Sequence, residues 1–463
     1  MLHPTGVILV VGLTEKLLAH MPRTGAFAKA GRVRTLRPVF PAVTCPVQSS
    51  MLTGLPVSGH GVVANGWYNR EQSELQFWKQ SNRLVSGEKV WETARKRDAS
   101  VTTANICWWF NMYSGAEYSV TPRPMYTADG RKIPDCYTRP GDLRDRLQSE
   151  LGAFPLFRFW GPGASIESSR WIAEAVKRTA GWYSPTLMLA YLPHLDYALQ
   201  KFGPAGPEAV AAAGQIDEVI GDLLEFMRSR GVRPMIVSEY GIEQVDRPVF
   251  PNRVLREAGF MSVREERGGE LLDAGASRAF AVCDHQSAQV YVQDPADIAS
   301  IADVLRSTPG VERVLDAGGQ QELGVRHERS GELVLVAKKG AWFAYPYWLS
   351  DARAPDFART VEIHRKPGYD PCELFLDPTM RLPAFTVGRK VLARKLGFRT
   401  LLDIVPLDAT IVKGSHGRLD NAPKERPVLI TQGEGTSGGG ADEIACEAVR
   451  GAVLDHVFEP EGV

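Results

Sequence analysis

Within FPAVTCPVQSSMLTGLPVSGHGVVAN, residues 40–65, the hydroxyl of Thr44 stands between Val43 and Cys45–Pro46, ahead of a glycine-rich run. Three later segments place polar groups where an apolar run would not predict them. YLPHLDYALQ carries His194, Asp196 and Gln200; IVSEYGI carries Glu239 and Tyr240; KGSHGRLD carries His416. Singly, each reads as a loop polar residue or a helix cap. As a set they follow buried strands or adjoin glycines, where α/β proteins assemble their sites. A hydroxyl, carboxylates and imidazoles are the groups of nucleophilic and acid–base chemistry.

The elements that must position these groups alternate. Residues 6–11, 186–192 and 233–240 are apolar runs of strand length, and residues 207–231 carry apolar side chains at helical spacing with a glycine stop. Residues 14–21 read as a first helix. The pattern predicts an α/β fold with a mostly parallel central sheet flanked by helices. The length of 463 residues suits two to three domain-sized units, and 44% hydrophobic with 23% charged residues is ordinary for a soluble chain. A formal net charge of zero argues against a broad nucleic-acid surface. The apolar run at residues 7–11 is short and follows no Lys or Arg, so it reads as a buried strand and not as a signal peptide. No stretch has the roughly 18 apolar residues of a membrane span. Six scattered cysteines without a CxxC pair predict reduced thiols and a cytoplasmic protein.

Two segments read as insertions in a core formed by residues 1–65, 160–284 and 341–463. Residues 66–159 are rich in aromatics, among them Trp67, Tyr68, Trp78, Trp108, Trp109, Tyr113 and Tyr126, interleaved with Lys79, Gln80, Asn82, Asn111 and Arg123. They are either core or a cap that stacks a planar or sugar-like group. Residues 285–340 read as a small α+β unit. Residues 431–443, TQGEGTSGGGADE, read as a mobile loop. His60 is expected to order the turn below Thr44, and His285 to be a satisfied hydrogen-bonding residue. The loop EIHRKPGYDPCELF, residues 362–375, groups His364, Lys366, Asp370 and Glu373 around Pro-Gly, as a structured turn or as part of a site.

The order and spacing of residues 7–65, 186–245 and 410–423 resemble the alkaline phosphatase superfamily, in its nucleotide pyrophosphatase/phosphodiesterase and phosphonoacetate hydrolase branch. The segment around Thr44, with its following TG and HG, carries the resemblance most specifically. By that resemblance Thr44 is the nucleophile and takes a phosphoryl group as a covalent ester. Members clamp the reacting oxygens between two divalent ions. One ion takes an Asp after the first strand, the Thr and an Asp-His pair; the other takes an Asp, a His four residues on and a late His before Gly. Here these positions fall on Val11 (or Gly12), Thr44 and Glu239–Tyr240, and on Asp196, Gln200 and His416. Thr44, Asp196 and His416 keep the pattern, Glu239 is a conservative change, and Val11, Gln200 and Tyr240 depart from it.

The resemblance implies that Asp196, Gln200, Glu239 and His416 hold a divalent ion (Zn, Mn or Mg, the oxygen-rich set favouring Mg or Mn), one per chain in the sparser case. Glu15, one helical turn after Val11, is a candidate for the missing carboxylate. Tyr240 or His194 is the candidate acid or base. Asn65 is expected at a substrate oxyanion, Trp67 and Tyr68 beside the substrate, and Lys366 or Arg365 on a phosphate oxygen. The implied activity is metal-dependent hydrolysis of phosphate diesters, pyrophosphates or related phosphoryl or phosphonyl esters. The expected partner is a small phosphate or phosphonate ester, with no nucleic-acid polymer and no membrane. The three departures motivate the alternative, a catalytically silent or metal-poor relative that binds a small ligand or partner in the same pocket.

Overall fold

The computed structural model describes residues 2–398, 400–432 and 443–458, the side chains of residues 394 and 395 aside. Most of the glycine-rich stretch 431–443 lies outside the described residues. Nine strands form the central sheet: β1 (Thr5–Val10), β2 (Arg32–Arg37), β3 (Thr103–Ile106), β4 (Tyr118–Pro122), β5 (Cys136–Arg139), β6 (Leu187–Leu192), β7 (Arg233–Val237), β8 (Val428–Thr431) and β9 (Glu443–Ala445). Their order is β9-β2-β8-β7-β1-β6-β3-β4-β5. β1 pairs in parallel with β6 and β7, and β3 continues the parallel set beside β6. Only β8 and β5 run against their neighbours. Every residue of β1 and of β6 is buried, because helices cover both faces, and this explains their unbroken apolar runs.

Four helices matter for the site: α1 (Thr44–Thr53), α2 (Ile166–Tyr183), α3 (His194–Phe202) and α4 (Pro207–Ser229). The expected helix at residues 14–21 is a 3-10 turn, Glu15–His20, followed by an α-helix that starts at Pro22. Proline fits there because it fixes φ and lacks only an N–H that a first turn leaves unpaired anyway.

The boundaries differ from the sequence expectation in two places. Residues 66–159 are not set apart as a cap: β3, β4 and β5 extend the central sheet, and two hairpins, Gly66–Asn69 with Glu74–Phe77 and Met125–Tyr126 with Lys132–Ile133, stand outside it. The aromatics there hid strands short enough to escape a periodicity reading. The small α+β unit is a four-stranded antiparallel sheet, and it begins at Ala279, before residue 285.

Candidate functional site

β1, β6 and β7 end side by side, so the loops that follow them converge. Thr44 is the first residue of α1, after a Val43 whose side chain provides no cap. Its Oγ1 lies 3.1 Å from the hydroxyl of Tyr240, three residues beyond β7. That hydroxyl donates to Asp196 Oδ1 at 3.5 Å, the outer limit of a hydrogen bond, so Thr44 is left to donate to Tyr240. Gln200 Nε2 donates to Asp196 Oδ2 at 2.7 Å, and the Tyr369 hydroxyl donates to Gln200 Oε1 at 2.8 Å. Asp196 and Gln200 meet because α3 puts residues four apart on one face. The result is one buried chain: Tyr369, Gln200, Asp196, Tyr240, Thr44.

Rings wall this chain. Tyr240 stacks on His416 at 3.5 Å between centroids, with His285 3.7 Å beyond and Tyr369 3.9 Å from His285. The Trp78, Trp109 and Trp160 rings extend the wall, with Trp78 and Trp160 packed on Tyr369. His416 Nδ1 bonds the Ala42 carbonyl at 2.8 Å, which leaves Nε2 as an unpartnered acceptor. Glu239 Oε1 accepts from Gln48 Nε2 at 2.5 Å, and its Oε2 is buried without a partner.

A second hydrogen-bonded track fixes α1. Asn65 Oδ1 accepts from the Cys45 N–H at 2.9 Å, supplying the cap that Val43 lacks. Asp284 grips Asn65 from below, accepting from its backbone N–H at 2.8 Å and from Nδ2 at 3.1 Å. Asn65 thus orients the helix that presents Thr44.

The network is electrostatically quiet. Burial raises the Asp196 carboxyl to about 7, the bonds from Gln200 and Tyr240 opposing only part of that rise. Burial does the same to Asp284, against the bonds from Asn65, to about 7. Glu239 is pushed well above the carboxylate range, first by burial. Burial lowers His416 to about 3, and it lowers His285 further below its ordinary value with help from His416. Near neutral pH this is a set of neutral or half-ionised groups, with no Lys or Arg among its hydrogen-bond partners.

Five residues singled out from the sequence therefore come together: Thr44, Asp196, Gln200, Tyr240 and His416. Glu239 and Asn65 adjoin them through Gln48 and Cys45. Others do not join. His194 opens a helix instead of lying on a strand, so two residues of spacing turn it about 200° from Asp196, and its Nε2 bonds Gln215 on α4. Trp67 is buried under the Arg329 guanidinium, and Tyr68 packs edge-on against Phe280 and Tyr291 of the four-stranded sheet. Lys366 is buried; although burial opposes its charge, Asp370 and Glu373, each 2.7 Å from Nζ, hold it above the usual lysine range. That ammonium is committed to its own triad and does not face a phosphate. Arg365 is paired with Asp356 at the surface, and Glu15 is exposed. Gln48, Tyr369 and Asp284 had no role in the sequence reading. Only Gln48 carried a local signal, four residues after Thr44 on the same helix face.

The two-ion centre that the family pattern implies was tested against these donors, and they do not fit it. Among the described residues, no three His, Cys, Asp or Glu side chains converge to hold an ion. Val11 is apolar and fully buried where a carboxylate is needed. Both oxygens of Asp196 are engaged, by an amide and a phenol, and the Gln200 carbonyl is taken by Tyr369. The expected ligands Asp196, Gln200, Glu239 and His416 are instead held by separate hydrogen bonds, Asp196 to Gln200, Glu239 to Gln48 and His416 to the Ala42 carbonyl.

A strand-end hydroxyl at a helix start, on a mixed nine-stranded sheet, defines an α/β protein of the alkaline phosphatase type. The model of the type I phosphodiesterase / nucleotide pyrophosphatase family matches residues 5–370, and this chain belongs to that family. The family's hydrolases are metal-dependent in general. An uncharacterized pyrophosphatase/phosphodiesterase of Schizosaccharomyces pombe is 26% identical over 230 residues, 48% of this chain and 39% of that protein. Human ectonucleotide pyrophosphatase/phosphodiesterase family member 1 is 21% identical over 251 residues, 52% of this chain and 22% of that protein. The matches thus span well under half the length of these two relatives. Among solved structures, phosphonoacetate hydrolase from Sinorhizobium meliloti bound to phosphonoformate superposes with a TM-score of 0.62 at 14% identity, covering 98% of this chain and 96% of that one. An inactive variant of murine ectonucleotide pyrophosphatase/phosphodiesterase 5 bound to AMP gives 0.59 at 12% identity, covering 100% and 97%.

Proposed function

We propose that this chain cleaves a phosphodiester or pyrophosphate, the reaction class of its family, with Thr44 as the attacking hydroxyl and without a two-ion centre. The observation that carries this reading is the contact of Thr44 Oγ1 with Tyr240 and of Tyr240 with Asp196. As the Thr44 oxygen bonds to phosphorus and the P–O bond to the leaving oxygen breaks, the hydroxyl proton passes to Tyr240, whose own proton passes to Asp196. The leaving group departs as its oxyanion and takes a proton from water, and a second water then hydrolyses the phosphoryl-Thr44 ester and restores the hydroxyl. An acid raised to about 7 is suited to receive it near neutral pH. Charge selects the substrate. Asp196, which must be ionised to accept the proton, has no Lys or Arg among its partners, so a dianionic monoester is repelled more than a singly charged diester.

The test compares wild type and Thr44→Ala on bis(p-nitrophenyl) phosphate and p-nitrophenyl phosphate, with chelator present. Diester turnover exceeding monoester turnover, and falling about 100-fold in the variant, is the expected result. Equal turnover in the two proteins removes Thr44 from the chemistry.

A second reading, a silent relative that binds a small ester, is favoured by one observation. Thr44, Glu239, Tyr240 and His416 are each at most 4% exposed, so the network is closed to solvent. In that case neither protein turns over, and a diester raises the melting temperature of both alike.

A further inference from the structure

Far along the chain from Thr44, one helix departs from the rule that large apolar side chains are scattered singly on a surface. α5 (Pro383–Lys395) and its flanks expose Leu382, Phe385, Val391, Leu392, Leu396, Phe398 and Leu401, with Leu382 73% and Phe385 69% exposed. Phe385 and Leu392 are seven residues apart and share one stripe of the helix. Val387, about 200° round from Phe385, is the residue that packs on the protein, in the apolar cluster that holds Val405 and Val412. The apolar stripe therefore points outward, away from the face that anchors the helix.

Residues 381–402 also carry six basic residues, Arg381, Arg389, Lys390, Arg394, Lys395 and Arg399, and no Asp or Glu, in a chain whose net charge is zero. Lys390 is ion-paired with Asp403 just beyond the segment, whereas Arg381 and Arg389 are exposed. We propose that α5 and its flanks lie on the surface of an anionic lipid bilayer, the leucines and phenylalanines entering the interface while the exposed Arg381 and Arg389 meet the headgroups. Charge complementarity selects this occupant. A second copy of the chain would bring two such basic segments together. A nucleic acid would leave the Phe and Leu side chains in water. A convex helix with no groove beside it suits a fluid interface, which needs no matching shape. This mode differs from spanning: no described helix is long and apolar enough to cross a membrane. It replaces the expectation that the chain has no membrane partner, and it stands apart from the chemistry at Thr44.

The experiment uses the full chain with extruded vesicles of phosphatidylcholine alone or with roughly 30% phosphatidylglycerol, read by co-sedimentation. The expected result is at least about 10-fold more protein on the anionic vesicles, lost as salt rises toward about 0.5 M. Phe385→Ser/Leu392→Ser/Leu396→Ser should return binding to the neutral-vesicle background, and Arg389→Glu should weaken it several-fold. Both should keep the wild-type melting temperature and the wild-type turnover of soluble esters, since all four positions lie on the outer face. Equal binding to both vesicle types, or binding that survives the triple substitution, overturns the proposal. So does self-association in free solution that the triple substitution abolishes while vesicles capture nothing.

Discussion

Tyr240 joins two oxygens, of Thr44 and Asp196, that the family pattern assigns to two different ions. A neutral phenol can do this only as a donor on one side and an acceptor on the other, and its stack on His416 holds it in that orientation. Tyr240→Phe keeps the stack and removes the bridge. Diester turnover through Thr44 is expected to fall about 100-fold, with a stability loss of about 1–2 kcal/mol from stranding the buried Thr44 hydroxyl. Unchanged kcat/KM would end the relay. Asp284 gives a separate test of the second track. Its folded value near 7 lies above the unfolded 3.8, so the folded state binds the extra proton between those values. Stability from this group is therefore present at low pH and lost as pH rises from about 4 through about 7, by an amount on the order of a few kcal/mol. Chemical denaturation of wild type and Asp284→Asn from pH 5 to 8 should show wild type losing stability relative to the variant as pH rises. A difference that is flat, or that grows in favour of wild type, contradicts the burial argument.

At the scale of elements, the site depends on how closely α3 approaches the strand Gly414–Ser415 that precedes His416. A Cβ on Gly414 would sit 2.1 Å from the Leu199 carbonyl oxygen, so only glycine lets this strand lie against the helix that carries Asp196 and Gln200. Gly414→Ala is expected to cost about 2 kcal/mol or more, read as a lower melting temperature, and to lower diester turnover as Asp196 and His416 separate. The same elements explain what the sequence made legible. β1, β6, β7 and α4 were readable because burial on both faces, or on one helical stripe, writes an apolar period that no loop mimics. Thr44, Asp196 and His416 were readable because a family pattern joins them across the chain, and Val11, Gln200 and Tyr240 were visible as departures from it. His194 was misplaced because β6 ends at Leu192 and a helix begins at once, which a polar residue after a strand does not announce. Tyr369 and Asp284 stayed hidden because they come from segments whose approach to α3 and Asn65 is set by tertiary packing alone. Lys366 looked like a phosphate ligand because its partners, Asp370 and Glu373, read equally well as loop polar residues.

For the whole molecule, the question is whether any divalent ion belongs to the native state. An ion that binds the folded chain but not the unfolded one must raise the melting temperature in proportion to the logarithm of its concentration over Kd, about 2.7 kcal/mol at 100 times Kd. Asp196 and Gln200 already bond each other and their phenol neighbours, and Glu239 Oε2 and His416 Nε2, the two buried acceptors left over, are too few to hold an ion. The melting temperature of the wild type is expected to be the same in chelator and in millimolar Mg, Mn or Zn. The variant Val11→Asp/Gln200→His/Glu239→Asp/Tyr240→His rebuilds the family's donor pattern on the same three strand ends. It is expected to be less stable than wild type in chelator, because four buried groups lose their partners, and to recover stability as Zn or Mn is titrated in. Both halves are read by one thermal series, with bound metal counted per chain. A wild type that copurifies with a stoichiometric ion, or whose melting temperature climbs with added metal, would mean that the Thr44–Tyr240–Asp196 chain opens to admit it. The family's ion-centred chemistry would then return to this site.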